Sequence, residues 1–326
     1  MDDFWFSPVM FHTKLWSAVI VRRFSQQIEE GREHVYHYTT GEGLKGIIEG
    51  KSLWATGAYY FHDTSEIDYG CQLAASVLEK GFAAAGSGFA ELALRQAHTV
   101  LSDSAQRNVR IATLYVACFC ESDNLLSQWR TYSRSGGFAL GFRVAELGDL
   151  QPEHMTVSRP TKVLYQEEDQ IKRVRDLIGD AIVVFGEDDV VRGDADNPSA
   201  DSVLAAGGEI AQILLSAITS FKAPDFAEER EWRLVCQPQY VEDGQKIDAV
   251  RKTARFRASS RGLAPFVELR YPSSDPNRRT LPIDSVRFGP TQTPDLVKSV
   301  TRMLLDANGF HAVRIDGSRI PVVLDR

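Results

Sequence analysis

Short strand-like runs in this chain outnumber the helices that could link them as parallel neighbours, and that imbalance narrows the fold more than any other feature. Val35-Tyr36-His37-Tyr38, Ser52–Ala55, Ala58–Phe61, Val109–Cys120, Gly137–Phe142, Val157–Tyr165, Arg230–Cys236, Arg255–Ser259, Pro265–Tyr271 and Ser285–Phe288 all read as strands, and a final short strand follows. Helical spacing appears at Leu44, Ile47 and Ile48, where Thr39 or Thr40 can cap the start and Gly50 the end. It returns over Ser65–Phe82, Glu91–Gln106, about twenty residues from Glu167, Val203–Phe221 and Pro294–Ala307. The order predicts an α+β fold with mixed, mostly antiparallel strands and surrounding helices. Gly137–Phe142 is expected beside Val109–Cys120 as its hairpin neighbour.

The chain divides into an N-terminal helical extension, residues 1–34, and a single catalytic-type α+β domain, residues 35–326, with helical insertions. In the extension, Lys14 to Glu30 is loosely amphipathic and is expected to pack outside the core. Within the domain, Glu187 to Ser202 carries six acidic residues against one arginine, with no apolar period, and reads as an exposed acidic loop near 187–202. With 326 residues and 43% apolar content the chain can close a sizeable core. Its net charge of -7 gives no overall basic field for holding phosphate backbones.

The apolar run Leu15–Val21 is shorter than a bilayer span and follows two acidic residues, so no membrane segment or leader is expected and a cytoplasmic location is. Cys71, Cys118, Cys120 and Cys236 form neither a C-x-x-C pair nor a zinc-spaced cluster, which favours reduced thiols. Common nucleotide-binding, serine-hydrolase and zinc-protease signatures are missing from the sequence.

Three polar clusters remain. Tyr36-His37-Tyr38-Thr39-Thr40 pairs with Tyr59-Tyr60-Phe61-His62-Asp63; the second is Gln128-Trp129-Arg130-Thr131-Tyr132; the third is Glu228-Glu229-Arg230-Glu231-Trp232-Arg233. Strand alternation puts Glu229, Glu231 and Arg233 on one face of the last, with Arg230, Trp232 and Leu234 on the other. Two neighbouring carboxylates raise each other's pKa and can orient a hydroxyl or stabilise a developing cation. Each cluster also has a structural reading: glutamates neutralised by arginines, a hydrogen-bonded histidine, aromatic residues packed in the core.

Together the motifs resemble a bacterial family catalogued as a domain of unknown function. The residues that carry the likeness are Tyr36-His37-Tyr38-Thr39, His62-Asp63 (Asn-Asp in the family), Gln128-Trp129-Arg130-x-Tyr132, Gly137-Phe138-x-x-Gly141-Phe142, Phe221-Lys222, Glu229-x-Glu231-Trp232-Arg233, Gly289-Pro290 and Ser318-x-x-Pro321. The likeness runs from about Val35 to the C-terminus.

More distantly, Tyr36-His37-x-Thr39, Gly57-x-Tyr59-Tyr60-Phe61 with Ser65 and Tyr69, and Glu229-x-Glu231 resemble the ADP-ribosyltransferase superfamily, although Tyr38 stands where that superfamily has Gly. This resemblance implies a split, ADP-ribosyltransferase-like sandwich and an enzyme that consumes NAD as its substrate. Glu231 would stabilise the oxocarbenium-like transition state, Glu229 would orient or deprotonate the acceptor, and His37 would bind the ribose. Tyr38, Thr39 and Trp129 are further cofactor-binding candidates; Tyr60 and Tyr69 would sandwich the nicotinamide ring, and Arg130 or Arg233 would meet the pyrophosphate. The acceptor stays open among a protein, a nucleic acid, a small molecule and water. A toxin or phage-defence role with an antitoxin or other regulatory partner is implied by resemblance alone. Two other classes fit the same residues: a non-catalytic nucleotide or nucleic-acid-binding module, and a metal-dependent nuclease using His62, Asp63 and the glutamate pair, although no metal-ligand spacing is present.

Overall fold

The computed structural model describes residues 32–60, 65–82, 88–132, 137–152, 155–187, 199–238, 253–259, 262–272 and 280–321. The Lys14–Glu30 segment, Phe61, His62, Asp63 and residues 188–198 of the acidic loop lie outside them.

The α+β expectation holds. Among the described residues eleven strands form one sheet. They are β1 (His34–Thr40), β2 (Leu53–Gly57), β3 (Tyr115–Cys120), β4 (Gly137–Arg143), β5 (Met155–Val157), β6 (Thr161–Lys162), β7 (Glu231–Pro238), β8 (Arg255–Ser259), β9 (Gly262–Leu269), β10 (Ile283–Phe288) and β11 (Arg314–Gly317). The main path runs β11-β10-β4-β1-β3-β2-β9-β8, and β7 joins β3, carrying β5 and β6. Among these eleven strands only the β10–β11 pair is parallel, across the crossover helix Pro294–Ala307. The expected hairpin of Gly137–Phe142 with the strand ending at Cys120 does not form, because β1 lies between β4 and β3 and pairs along the whole of β4.

The helices are α1 (Gly41–Gly50), α2 (Ser65–Gly81), α3 (Phe89–Ser102), α4 (Ser104–Ile111), α5 (Leu126–Tyr132), α6 (Val144–Leu147), α7 (Glu167–Glu187), α8 (Ala200–Ile218) and α9 (Pro294–Ala307). Thr40 caps α1 by accepting from the Gly43 N–H, and the left-handed residue that ends it is Lys51 instead of Gly50. The helix expected over Glu91–Gln106 breaks in two at Asp103, whose carboxylate accepts the Ala105 and Gln106 amides and so starts α4. That second helix also takes the first residues of the expected Val109–Cys120 strand. Ala58–Tyr60 is a 3-10 turn and not a strand.

Two cores flank the sheet. One packs α2, α3, α7 and α8 against Val116 and Val235; the other gathers α1 and α9 with Val35, Phe119, Phe142, Trp232 and Leu234. Helix α8 is long and apolar enough to cross a membrane by composition, yet 78% of its most apolar window is buried within the fold. Gly141 sits where β1 and β10 flank β4, and a Cβ there would collide with the Ser285 hydroxyl.

One feature of the sheet positions the site. Strand β7 pairs with β3 over its full length, Tyr115 to Cys120. The opposite edge of β3 is shared: β1 pairs at Cys120 alone and β2 at Tyr115 and Val116. Among the described residues Ala117, Cys118 and Phe119 therefore have no strand partner on that edge, and the sheet splits there.

Candidate functional site

A cavity of about 390 Å³ opens over the split, within the range of small-ligand sites. Its walls include His37, Tyr38 and Thr39 of β1, Trp54 and Thr56 of β2, Tyr60, Ala117 to Cys120 of β3, and Tyr132. Glu66, Lys222, Phe226, Glu229, Glu231, Arg233 and Arg257 also line it. Residues far apart in sequence thus meet because β1 and β2 splay away from β3 while β7 holds its other edge.

His37 fills the gap in the ladder. Its Nδ1 lies 2.8 Å from the Cys118 carbonyl oxygen, which can only accept, so Nδ1 carries the proton. Burial pushes the imidazole pKa down, the carbonyl bond opposes this, and the Arg257 charge adds to the lowering. The ring is therefore neutral at neutral pH, and its Nε2 has a lone pair with no partner among the described residues. The ring edge also meets Phe119, with centroids 5.8 Å apart.

Behind the cavity lies a cluster of five charged side chains: Glu66 from α2, Lys222 after α8, and Glu229, Glu231 and Arg233. Alternation along β7 places Glu231 and Arg233 on one face, opposite Cys120 and Cys118, and sends Trp232 and Leu234 into the other core, as expected. Arg233 grips Glu231 with two bonds, Nε to Oε1 at 2.9 Å and Nη2 to Oε2 at 2.8 Å. The same guanidinium reaches Glu66 at 3.1 Å and the Thr219 carbonyl. Lys222 Nζ lies 2.8 Å from Glu229, 3.3 Å from Glu231 and 3.4 Å from Glu66. Three carboxylates against two cations leave the cluster with one excess negative charge.

That network fixes the ionisation of Glu231, which is 5% exposed. Burial pushes its carboxyl pKa up, but the Arg233 and Lys222 charges and hydrogen bonds from Arg233 and Cys118 bring it down to about 2. Lys222 is raised overall because the carboxylates outweigh its burial. The Cys118 thiol is pushed well up by burial first and by Glu231 second, so it is a neutral donor and not a nucleophile. His37 and Glu231 thus both bear on Cys118: the histidine bonds its carbonyl, and the carboxylate pushes the pKa of its thiol up.

Glu229 arrives differently from the expectation. It ends a 3-10 turn, Pro224–Glu229, and Arg230 at φ 43° reverses the chain into β7. Glu229 and Glu231 face Lys222 together because of that left-handed residue, not because of strand alternation. Glu229 is also the more accessible of the two, its side chain 20% exposed against 6%.

Several expected site residues stand elsewhere. Tyr69 faces a separate groove with Glu167 and Arg175 and donates to Gln170 Oε1 at 2.8 Å, so it cannot sandwich a ring with Tyr60. Trp129 is buried; its Nε1 donates to Asn124 and its ring meets Tyr38 edge-on at 4.8 Å, a packing role. Tyr38 borders the cavity, but its hydroxyl is committed to the Ser122 carbonyl and the Leu125 amide. Arg130 is exposed and is not among the cavity walls. Arg233 is 2% exposed and bound to Glu231 and Glu66, which removes it from any pyrophosphate.

Phe226, 37% exposed, and Tyr60, 38% exposed, are the accessible aromatic walls, and Lys222 Nζ sits 4.9 Å from the Phe226 ring centre. Sequence reasoning missed Phe226, Arg257, Glu66 and the part played by Lys222. The quoted Phe221-Lys222 motif was the available signal for the last. Among the described residues no group of three His, Cys, Asp or Glu side chains is placed to hold a metal ion; Glu66, Glu229 and Glu231 converge on the Lys222 ammonium instead.

Residues 128–234, from Gln128 in α5 to Leu234 in β7, match a family model described as "Protein of unknown function (DUF2971)". The match takes in Tyr132, Lys222, Glu229, Glu231 and Arg233 of the cavity and supports the resemblance to a family of unknown function over that segment. Comparison with curated proteins and with solved structures gave no match.

Proposed function

We propose that this cavity cleaves the bond between nicotinamide and ribose in NAD, passing ADP-ribose to an acceptor or to water. The observation that carries the reading is the meeting of a neutral His37 and an ionised Glu231 on one cavity, over a split in the sheet. Departure of nicotinamide develops positive charge on the ribose ring, and a fixed carboxylate in a partly dry site stabilises that charge as it forms. Arg233 and Lys222 weaken the field of Glu231 but hold it in place, and the cluster keeps its excess negative charge. His37 Nε2 accepts from a ribose hydroxyl. Glu229, tied among the described residues to Lys222, orients or deprotonates the acceptor. Tyr60 and Phe226 offer ring faces to the base, in place of the pair expected from sequence.

In this reading the setting is a cytoplasmic effector held by a regulatory partner, on the strength of the resemblance alone. The test is chromatography of NAD incubated with the full chain, with and without a cell extract as acceptor source. Release of free nicotinamide is expected, with at least a hundredfold loss in Glu231→Gln while circular dichroism stays unchanged. Glu229→Gln should slow transfer to acceptors without abolishing ligand binding. No nicotinamide release in either condition would defeat the reading.

A further inference from the structure

The cavity is electrically polar along its depth. Its buried end holds Glu66, Glu229 and Glu231 against Lys222 and Arg233, with a carboxylate in excess. Its outer wall holds one further cation, Arg257. That residue projects from β8, the edge strand of the sheet, and is exposed along with the rest of β8. Its Nη2 donates to Thr56 Oγ1 at 3.1 Å across to β2, which props the guanidinium over the cavity. Among the described residues it makes no ion pair, whereas its strand neighbour Arg255 is paired with Glu268. A guanidinium fork held by one hydroxyl keeps most of its donors available, in a geometry that matches phosphate oxygens.

We propose that Arg257 makes the site selective for ligands bearing a phosphate at their outward end, with the uncharged or cationic end directed toward the buried carboxylates. The same field gradient that draws a phosphate to the mouth repels it from the floor, so a phosphorylated ligand enters in one orientation. Arg257 lies outside the segment that matches the family model, so the selectivity belongs to this chain's own β8–β9 hairpin and not to the matched segment. The influence of Arg257 reaches His37 and Tyr132, in keeping with a charge that faces the cavity. The inference rests on the cavity described above and needs no bond to be cleaved in it.

Titration calorimetry on the full chain tests it with matched pairs: nicotinamide mononucleotide against nicotinamide riboside, and AMP against adenosine, with inorganic pyrophosphate alone as a fifth probe. In at least one pair the phosphorylated member should bind about tenfold or more tighter, the worth of a charge-assisted hydrogen-bond pair. Arg257→Ala should erase that preference by weakening the phosphorylated member at least tenfold more than the unphosphorylated one, and Arg257→Lys should restore only part of it. Raising the salt concentration should shrink the preference in the wild type. A preference that survives in Arg257→Ala, an equal weakening of both members, or no binding of any phosphorylated probe or pyrophosphate to the wild type would overturn it. If AMP binds in an Arg257-dependent way while NAD is never cleaved, the selectivity stands and the nicotinamide-cleavage reading falls.

Discussion

At the residue scale, the cluster behind the cavity shows how much a single ammonium can hold. Lys222 sits among three carboxylates, and neutralising it leaves three buried or half-buried negative charges facing one arginine. Lys222→Met should therefore destabilise the fold by about 3–5 kcal/mol, the range for breaking one side of a buried ion pair. Urea denaturation measures this, and adding Glu229→Gln to Lys222→Met should return part of the loss. A double variant as unstable as the single one would mean that packing, not charge, dominates. Arg233→Lys should also cost stability, since an ammonium cannot make the two-point grip on Glu231.

Elements decide which of the singled-out residues meet. The superfamily resemblance paired Tyr69 with Tyr60, but α2 turns Tyr69 toward α7 and its Gln170. The 3-10 turn before β7 brings Phe226 to the cavity in its place. Phe226→Ala should weaken binding of a nicotinamide nucleotide about tenfold, whereas Tyr69→Phe should change stability by about 1 kcal/mol through one lost hydrogen bond and leave binding alone. Calorimetric titration of both variants separates the two. What was legible in the sequence was local: the alternation that sets Glu231 and Arg233 on one face, the capped helix after Thr40, and the histidine on the first strand. The helical spacing of Trp129 and Tyr132 fixed a shared face but not its surroundings, so Trp129 became core and Tyr132 a cavity wall. Glu66, Phe226 and Arg257 carried no signal because their roles come from long-range pairing, β1 and β2 dividing one edge of β3 between them. Arg230 in a left-handed conformation could not be read either, since nothing but tertiary context forces a non-glycine residue there.

At the scale of the whole molecule, the same groups set how the fold responds to acid. The Glu231 pKa is depressed to about 2, so its contribution is fully present above its unfolded value of 4.5 and is lost as pH falls through 2. The His37 pKa is lowered from 6.5, so below that pH the unfolded chain takes up a proton that the folded one resists. Both effects have one sign: stability should fall as pH drops from 7, first through the histidine and then through the carboxylate. Denaturant midpoints measured from pH 7 to pH 3 should decline throughout, and His37→Asn should flatten the part between pH 6.5 and 5. A midpoint that rises on acidification would contradict the burial of both groups.

The position of a bound nicotinamide nucleotide decides whether this cavity is the NAD site. A crystal structure of the full chain with a non-cleavable carbocyclic NAD analogue answers this directly. The nicotinamide-bearing ring is expected in the cleft between β1 and β2, with its hydroxyls at His37 Nε2 and the carbon that carries nicotinamide facing Glu231. An analogue bound elsewhere on the molecule, or a cavity that stays empty at saturating analogue, would contradict it.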